Sequence, residues 1–325
     1  NSGKISNKGW EISVSGVPVK VKNFEWKTIF NWSKNNSMVE SLPEGIDKIQ
    51  IGSGVYNVKS YAEVGKPYGA IYAKTFKRDA EGYILCQLDG SPKEGQDYEY
   101  LGCVQADWRG GWNNVFRLGN FSFSVMFDFQ KGGKFFSQTS IQSSVDGQSV
   151  KSLEGRDADF FSRKILGESD EERYGFMRPQ NANTPTANGQ IYPDWGRPKG
   201  VVLPNCRYDE DVEGLAGQQV LGYCTPERYW MHYTSRDISR FIYDASYVKL
   251  REITVSYDLP KKWLRKTPFQ TFRVAAVGRN IATLFANTPH GLDPQATSTT
   301  GNAQGFERGF NLPSATYGFD IKVSF

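Results

Sequence analysis

Few residues in this chain have the types and spacing that catalysis needs. Only two histidines occur, His232 and His290, and neither lies in an H-E-x-x-H metalloprotease motif. The G-x-S-x-G nucleophile motif and the phosphate-loop motif are also missing from the sequence. An all-β hydrolase would need two catalytic carboxylates, and no motif nominates such a pair. The sequence therefore predicts no catalytic residue and no cofactor.

The residue types that bind metals do not form a recognisable site either. Four cysteines, Cys86, Cys103, Cys206 and Cys224, include no C-x-x-C pair, which argues against zinc. Their spacings suit two loop disulfides, Cys86–Cys103 and Cys206–Cys224, in an oxidising compartment; four unpaired thiols are the alternative. The acidic segment 208–214 could offer oxygens to calcium, but its spacing does not match the EF-hand loop. We interpret it as a solvated acidic loop and predict no metal.

Aromatic side chains in the long polar segments are the best candidates for binding. Trp108, Trp195, Tyr229, Trp230 and His232 could stack on sugar rings or on peptide side chains. The alternative is that these residues pack within their loops or contact a partner protein. The sequence therefore nominates them as substrate-loop candidates without deciding between the two roles.

Composition restricts how the chain can be built. Its 325 residues carry 39 basic and 35 acidic side chains, a net charge of +4, which is too balanced to indicate nucleic acid. Aromatic residues make up 14% of the chain although its mean hydropathy is −0.53. No apolar run approaches the ~18 residues that a membrane helix requires. Many aromatics with low mean hydropathy instead fit strands with one apolar and one polar face.

Side-chain alternation predicts such strands along most of the chain. In 121–129 the odd positions are apolar (Phe121, Phe123, Val125, Phe127 and Phe129), and the even positions are mostly polar. Successive side chains of a strand point to opposite faces, so one face would be wholly apolar. The same pattern recurs in 10–19, 24–32, 112–118 and 269–280, and a weaker hairpin is predicted over 67–89.

Strand 245–259 changes phase, which a bulge near Lys249–Glu252 would explain. A strand that rises above the membrane would explain it as well. Tight turns at 18–23 and 118–121 contrast with long joins at 37–66, 132–243 and 284–313. Short turns on one side and long loops on the other are typical of membrane barrels. We therefore place the tight turns in the periplasm and the long loops outside the cell.

The chain ends on an alternating strand in which Tyr317, Phe319, Ile321, Val323 and Phe325 share one face. A terminal amphipathic strand that stops on Phe is the signal by which outer-membrane barrels are recognised for assembly. An ordinary edge strand at the end of the chain is the alternative. The first residues, 1–4, show no features of a signal peptide, so we expect the chain to be a fragment of an exported protein.

Several motifs, in the same order along the chain, resemble SusC/RagA-type TonB-dependent transporters. Residues 244–260 read D-A-S-Y-V-K-L-R-E-I-T-V-S-Y-D-L-P and resemble that family's D-x-S-Φ-V-K/R-L-R-E-Φ-x-L-S-Y-x-L-P strand. Residues 278–280 (G-R-N) and 293–295 (D-P-Q) resemble its G-R-N-L and D-P-E segments, with Gln295 departing from the pattern. Residues 5–12, 130–133 and 312–325 add similar matches.

The resemblance implies an all-β fold, in which 1–325 forms the C-terminal part of a 22-stranded antiparallel transmembrane barrel with long extracellular loops. About eight or nine strands would lie in this chain, and the plug and early strands would not. It implies a bacterial outer-membrane location, a SusD-type surface lipoprotein as partner, and energy from TonB–ExbB–ExbD through the plug. The cargo would be an oligosaccharide or a peptide, and Arg117, Glu252 and Arg273 would face the lumen. A soluble all-β glycan-binding module remains the alternative function.

Overall fold

The computed structural model of the chain describes residues 3–154, 201–224, 229–289, 291–296, 304–309 and 314–325. In chain order the strands are β1 (Lys4–Val21), β2 (Phe24–Ser41), β3 (Lys48–Ser53), β4 (Lys59–Glu63), β5 (Ala70–Ala73), β6 (Ile84–Cys86), β7 (Glu99–Cys103), β8 (Trp108–Leu118), β9 (Phe121–Lys131), β10 (Lys134–Ser137), β11 (Val201–Tyr208), β12 (Gln219–Cys224), β13 (Ile242–Asp244), β14 (Tyr247–Asp258), β15 (Thr271–Ala286), β16 (Phe306–Glu307) and β17 (Thr316–Ser324). The helices are α1 (Gln138–Val145), α2 (Lys261–Leu264), two 3₁₀ turns (Val150–Leu153 and Ile238–Phe241) and one π turn (Tyr229–Tyr233). In the described part, no helix is both long and apolar enough to cross a membrane.

The largest element is a seven-stranded sheet in the order β1-β2-β8-β9-β14-β15-β17, and every neighbouring pair is antiparallel. We call this sheet the wall. Its strands follow chain order, and short connections at one end join β1 to β2, β8 to β9 and β14 to β15. The three long joins all leave from the opposite end, as the turn lengths predicted.

The register of the wall confirms that its two faces differ. Trp26, Phe116, Phe123 and Val255 lie in one row across four strands. The three aromatic rings of this row stack, with centroids 5.9 Å apart for Trp26 and Phe116 and 6.1 Å apart for Phe116 and Phe123. Phe123 is nevertheless 40% exposed. The phenylalanines of 121–129 therefore form an apolar outer surface rather than the centre of a packed core.

The phase change in β14 is a bulge. Leu250 pairs with Phe127 of β9 and Ala282 of β15, whereas Glu252 pairs with Met126 and Arg279. Arg251 is thus the extra residue opposite β9, whereas in the ladder with β15 the extra residue lies on β15, between Arg279 and Ala282. Because the bulge resets the alternation, Lys249, Arg251 and Glu252 all turn toward the polar face.

The long joins fold into a second region, which we call the loop subdomain: the described residues of 42–107, 132–154, 201–246 and 304–309. It contains three small sheets, β3-β4-β5-β7, β13-β10-β16 and β12-β11-β6. The hairpin predicted over 67–89 was wrong as a wall element, because β5 and β6 belong to two of these small sheets. The subdomain holds the two buried cores of the described chain, one around Tyr208 and Tyr229 and one around Phe136 and Phe306.

None of the four cysteines forms a disulfide, so neither predicted disulfide is present. The register of the β11–β12 hairpin separates Cys206 from Cys224. Cys206 lies opposite Val220, while Cys224 lies opposite Val201 at the far end of the same hairpin. Cys86 instead contacts Cys206 from the neighbouring strand, and this contact together with burial raises the pKa of the Cys86 thiol. The structure therefore agrees with the alternative in which the four cysteines are not joined by disulfides.

Candidate functional site

The polar face of the wall carries the charged residues that alternation placed opposite the aromatic face. Arg273 donates two hydrogen bonds to Asp258 across β14 and β15, at 2.7 and 2.8 Å. Arg279 pairs with Glu252 at 2.9 Å. Arg117 lies on the same face of β8 and is exposed. The three predicted lumen-facing residues, Arg117, Glu252 and Arg273, therefore share one surface of the sheet; their facing a lumen stays a prediction.

The bulge gathers a dense polar cluster at the end of the wall nearest the loop subdomain. Lys249 is almost fully buried, and its Nζ lies 2.6 Å from Asp293 Oδ1 and 2.9 Å from Gln295 Oε1. A buried lysine is costly unless a carboxylate and further acceptors satisfy it. Lys249 thereby holds the segment 291–296 against the polar face.

Arg251 extends the same cluster toward β9. Its Nη1 donates to Asn280 at 2.7 Å, its Nη2 donates to Gln295 at 2.7 Å, and its Nε donates to Asp128 at 3.1 Å. Tyr247 donates to the same Asp128 carboxylate at 3.2 Å. All three nitrogens of the Arg251 guanidinium group thus donate hydrogen bonds within the protein.

Three cavities open beside this cluster and share one lining residue, Arg109 of β8. The first, about 390 Å³, lies between the wall, the segment 291–296 and the loop subdomain. The second, about 280 Å³, extends toward Asn35 of β2. The third, about 630 Å³, runs down the polar face over Gly111 toward β1. Together they form a polar groove, which we call the Arg109 groove.

The substrate-loop candidates occupy different environments. Tyr229 and Trp230 are buried in a core of the loop subdomain, where the loop-packing alternative expected them. His232, two residues later, is exposed. Trp108 packs edge-on against Phe129 at 6.0 Å and lines the 280 Å³ cavity, beside Arg109. Trp195 lies outside the described residues. A role of these residues in substrate binding stays a prediction.

The terminal strand β17 presents its alternating residues as predicted. Tyr317, Phe319 and Ile321 are exposed, and Phe319 is 86% exposed. Val323 is half-buried beside Phe272, and the ring of Phe325 meets Phe269 at 5.2 Å. Among the described strands β17 pairs only with β15, so its other edge is open. Its part in barrel assembly stays a prediction.

The acidic segment 208–214 is only partly solvated, contrary to our interpretation. The Asp209 side chain is 3% exposed and accepts hydrogen bonds from Lys93 at 2.7 Å and Lys77 at 2.9 Å. Burial alone would raise the pKa of Asp209, but the two lysines outweigh it and lower that pKa to about 2. This carboxylate is therefore an internal ion-pair partner; Asp211 nearby is 69% exposed. No cluster of three metal-binding side chains occurs in the described ranges.

Arg109, Asp128 and Lys249 were not nominated from the sequence alone. Arg109 stands in W-R-G-G-W at the end of β8 nearest the long loops, on the polar parity of the strand. The available signal was a charged residue on the polar parity of the strand, followed by two glycines. Lys249 could have been found only by placing the bulge, since that decides which face it takes.

The described chain is thus an all-β protein whose main sheet separates an aromatic face from a charged face, with a loop subdomain at one end. No family model matches the chain. The chain is similar to the TonB-dependent receptor P3 of Formosa agariphila, with 23% identity across 98% of this chain and 28% of that protein. TonB-dependent receptor P39 of the same organism is 22% identical across 42% of this chain and 18% of its own length.

Among solved structures, the chain matches the RagAB peptide transporter with a TM-score of 0.56 and 15% identity, covering all of this chain and 30% of that one. The RagAB peptide importer in its "closed-closed" state gives the same TM-score at 18% identity. The chain therefore spans less than a third of the proteins it matches. The resemblance to SusC/RagA-type TonB-dependent transporters that the motifs indicated is confirmed.

Proposed function

We propose that this chain is the C-terminal barrel portion of a TonB-dependent importer of oligomeric nutrients in the bacterial outer membrane. The observation that carries the proposal is the aromatic face of the wall. Phe30, Trp112 and Phe123 are 38 to 42% exposed although each ring packs against an aromatic ring of another strand, namely Phe129, Phe127 and Phe116. A water-soluble protein would leave this contiguous apolar surface in water, whereas a bilayer covers it.

Strand length and open edges support the same proposal. β8 and β9 each have 11 residues, close to the 9–11 that a tilted strand needs to cross a bilayer. β1 and β2 have 18 residues each and would project beyond it. Unpaired strand edges cannot face lipid, so the outer edges of β1 and β17 require partner strands. A 22-stranded barrel completed by the rest of the protein would supply them.

The cargo and the partners follow from the site and from the similar proteins. The Arg109 groove opens at the end of the wall that carries the loop subdomain, where an incoming oligomer would first meet the barrel. We propose an oligosaccharide or a peptide as cargo, with a SusD-type lipoprotein covering the loops and TonB–ExbB–ExbD supplying energy through a plug. The RagAB structures are described as those of a peptide transporter, which favours testing peptides first.

The test uses the whole protein that contains this chain, expressed in its own outer membrane. We expect it to require detergent for extraction, to run as a heat-modifiable folded band, and to co-purify with a surface lipoprotein. Cells that lack the gene should lose uptake of either labelled oligopeptides or labelled oligosaccharides. Recovery of the whole protein from the soluble fraction without detergent would instead support the glycan-binding module and would overturn the importer.

A further inference from the structure

We propose that Arg109 is a carboxylate-binding residue that anchors a monoanionic group of an oligomeric ligand in the Arg109 groove. The first observation is position. Among the described residues, Arg109 is the only one that lines all three cavities, about 390, 280 and 630 Å³ in volume. A ligand that extends along the groove in either direction must therefore pass its guanidinium group.

The second observation is that the cations close to Arg109 are already paired. Lys249 is held by Asp293, Arg251 by Asp128, and Lys134 lies 3.5 Å from Asp244. Arg109 differs, because only its Nε donates a hydrogen bond, at 2.9 Å to Gln130. Within the described residues its two terminal nitrogens have no hydrogen-bond partner. In the part of the chain that the structure describes, Arg109 is thus the cation of this groove that remains available for a ligand.

The third observation concerns which anion the groove would accept. The charged residues that line the 390 Å³ cavity are Arg109, Lys134 and Asp128. Asp244 offsets the charge of Lys134 and Arg251 offsets that of Asp128, so Arg109 supplies the single excess positive charge, which favours a monoanion over a doubly charged group. The planar guanidinium fork matches a carboxylate, which it can bind through two parallel hydrogen bonds.

The floor of the groove beside Arg109 is kept open by a glycine. A Cβ atom at Gly111 would meet no atom nearer than the Phe127 carbonyl oxygen at 3.7 Å, so the backbone does not require glycine there. Gly110 differs, because a Cβ on that residue would lie 2.2 Å from the Phe129 ring on the other face. Gly111 therefore leaves space for a ligand, while Gly110 accommodates wall packing.

The proposal rests on the import function, and two kinds of cargo carry the required group. The C-terminal carboxylate of a peptide and the carboxylate of a uronic acid sugar present the same chemistry to Arg109. The experiment therefore uses paired probes: a pentapeptide with neutral side chains as the free acid and as the C-terminal amide, and tetragalacturonate with its methyl ester. Affinities are measured calorimetrically on the purified whole protein.

We expect the wild-type protein to bind one of the two acids about ten- to a hundredfold more tightly than its neutral derivative. Arg109→Ala should remove that preference, and Arg109→Lys should restore part of it, since lysine keeps the charge but not the fork. Gly111→Leu should weaken the acid and the neutral derivative equally. Arg265→Ala, which removes an exposed arginine beyond the opposite end of the wall, should change neither affinity.

Equal binding of the acid and its neutral derivative by the wild-type protein overturns the proposal. So does failure to bind either acid, or a preference for the acid that survives Arg109→Ala. Outer-membrane location and nutrient uptake are measured on the same variants. An importer that takes up its cargo equally well with Arg109→Ala would leave the transport function standing and this inference refuted.

Discussion

The wall and the loop subdomain bury their large apolar side chains in opposite ways. In the wall the aromatic residues form an outer surface, and Phe319 is 86% and Phe123 40% exposed. In the loop subdomain Phe306 is 0% and Phe136 1% exposed, and each belongs to a closed core. One chain thus uses the same residue type for two surroundings. This contrast is what the proposed importer requires, in which lipid covers the aromatic face of the wall and water surrounds the subdomain.

Their ion pairs differ in the same way. The Arg273–Asp258 pair of the wall is 39 and 45% exposed and lies on an open polar face. Asp209 of the subdomain is 3% exposed and joins two lysines from the adjoining segment 77–93. The Arg273–Asp258 pair therefore faces water on an open surface, whereas Asp209 ties chain segments together inside the subdomain.

The largest effect should come from a substitution that destabilises the loop subdomain and leaves the wall unchanged. Phe306→Ala removes a fully buried ring from the core that it forms with Phe136 and Ile141. Truncation of a buried Phe to Ala costs about 3–5 kcal/mol. Hydrogen–deuterium exchange in β10 and α1 should become at least a hundredfold faster, while exchange in β8 and β9 stays unchanged. Leu88→Ala, at a position that is 51% exposed, is the control and should alter neither region.

Equal acceleration in β8 and β9 would show that the two regions unfold as one unit. The wall and the loop subdomain would then differ in packing but not in stability.

The next effect tests the solvent of the wall directly. Phe30 and Ile46 are 38% and 43% exposed, but Phe30 lies on the aromatic face and Ile46 in the subdomain. Phe30→Lys places a charge against lipid, at a cost of about 2–4 kcal/mol near the middle of a bilayer. Ile46→Lys places the same charge in water. Only Phe30→Lys should reduce the folded, heat-modifiable band in outer membranes.

A normal folded band for Phe30→Lys would mean that the aromatic face does not contact lipid. The proposed import function would then lose the observation that carries it.

The sequence could predict the wall because its information is local. Alternation along 121–129 fixes which residues share a face, and neighbouring strands in chain order pair with each other. The phase change at Lys249–Glu252 was likewise visible as a bulge. The subdomain could not be predicted in this way, because β6 pairs with β11 about 120 residues later and β10 pairs with β16 about 170 residues later. No short pattern encodes such pairings.

The candidate site could be predicted from the sequence less fully than the wall but better than the subdomain. The sides taken by Arg273 and Glu252 follow from parity alone. The pairing of Lys249 with Asp293 depends on how the segment 291–296 folds back, which alternation does not report. Tyr229 and Trp230 were nominated for binding because loop aromatics often contact ligands. Their burial depends on contacts with Phe76 and Tyr208, which are distant in sequence.

A smaller effect, the loss of the Asp209 ion pair, depends on pH. The pKa of Asp209 is lowered to about 2, so its folded-state stabilisation is fully present above the unfolded value of ~3.9. It is lost as the pH falls from ~4 through about 2. Asp209→Asn should therefore destabilise the subdomain by about 1–2 kcal/mol at pH 5–7. The difference from wild type should shrink below pH 4, as measured by hydrogen exchange in β11 and β12.

Asp211→Asn is the matched control, since Asp211 contacts the same Lys93 but is 69% exposed. It should cost less than about 0.5 kcal/mol. A constant difference between wild type and Asp209→Asn down to pH 2 would contradict the buried ion pair.

The smallest effect is expected for the Arg273–Asp258 ion pair of the wall. Arg273 and Asp258 form two well-aligned hydrogen bonds, yet both side chains are more than a third exposed on the polar face. Water then screens the pair, and pairs of this kind contribute about 0.2–1 kcal/mol. A double-mutant cycle of Arg273→Ala and Asp258→Ala, measured by urea unfolding of the whole protein in lipid vesicles, should give a coupling in that range. The coupling should weaken further in 1 M salt, where the screening length falls to about 3 Å.

A salt-insensitive coupling above about 2 kcal/mol would mean that water is excluded from this face. The polar face would then be a packed interior like that of the subdomain, and the contrast between the two regions would hold for the aromatic face alone.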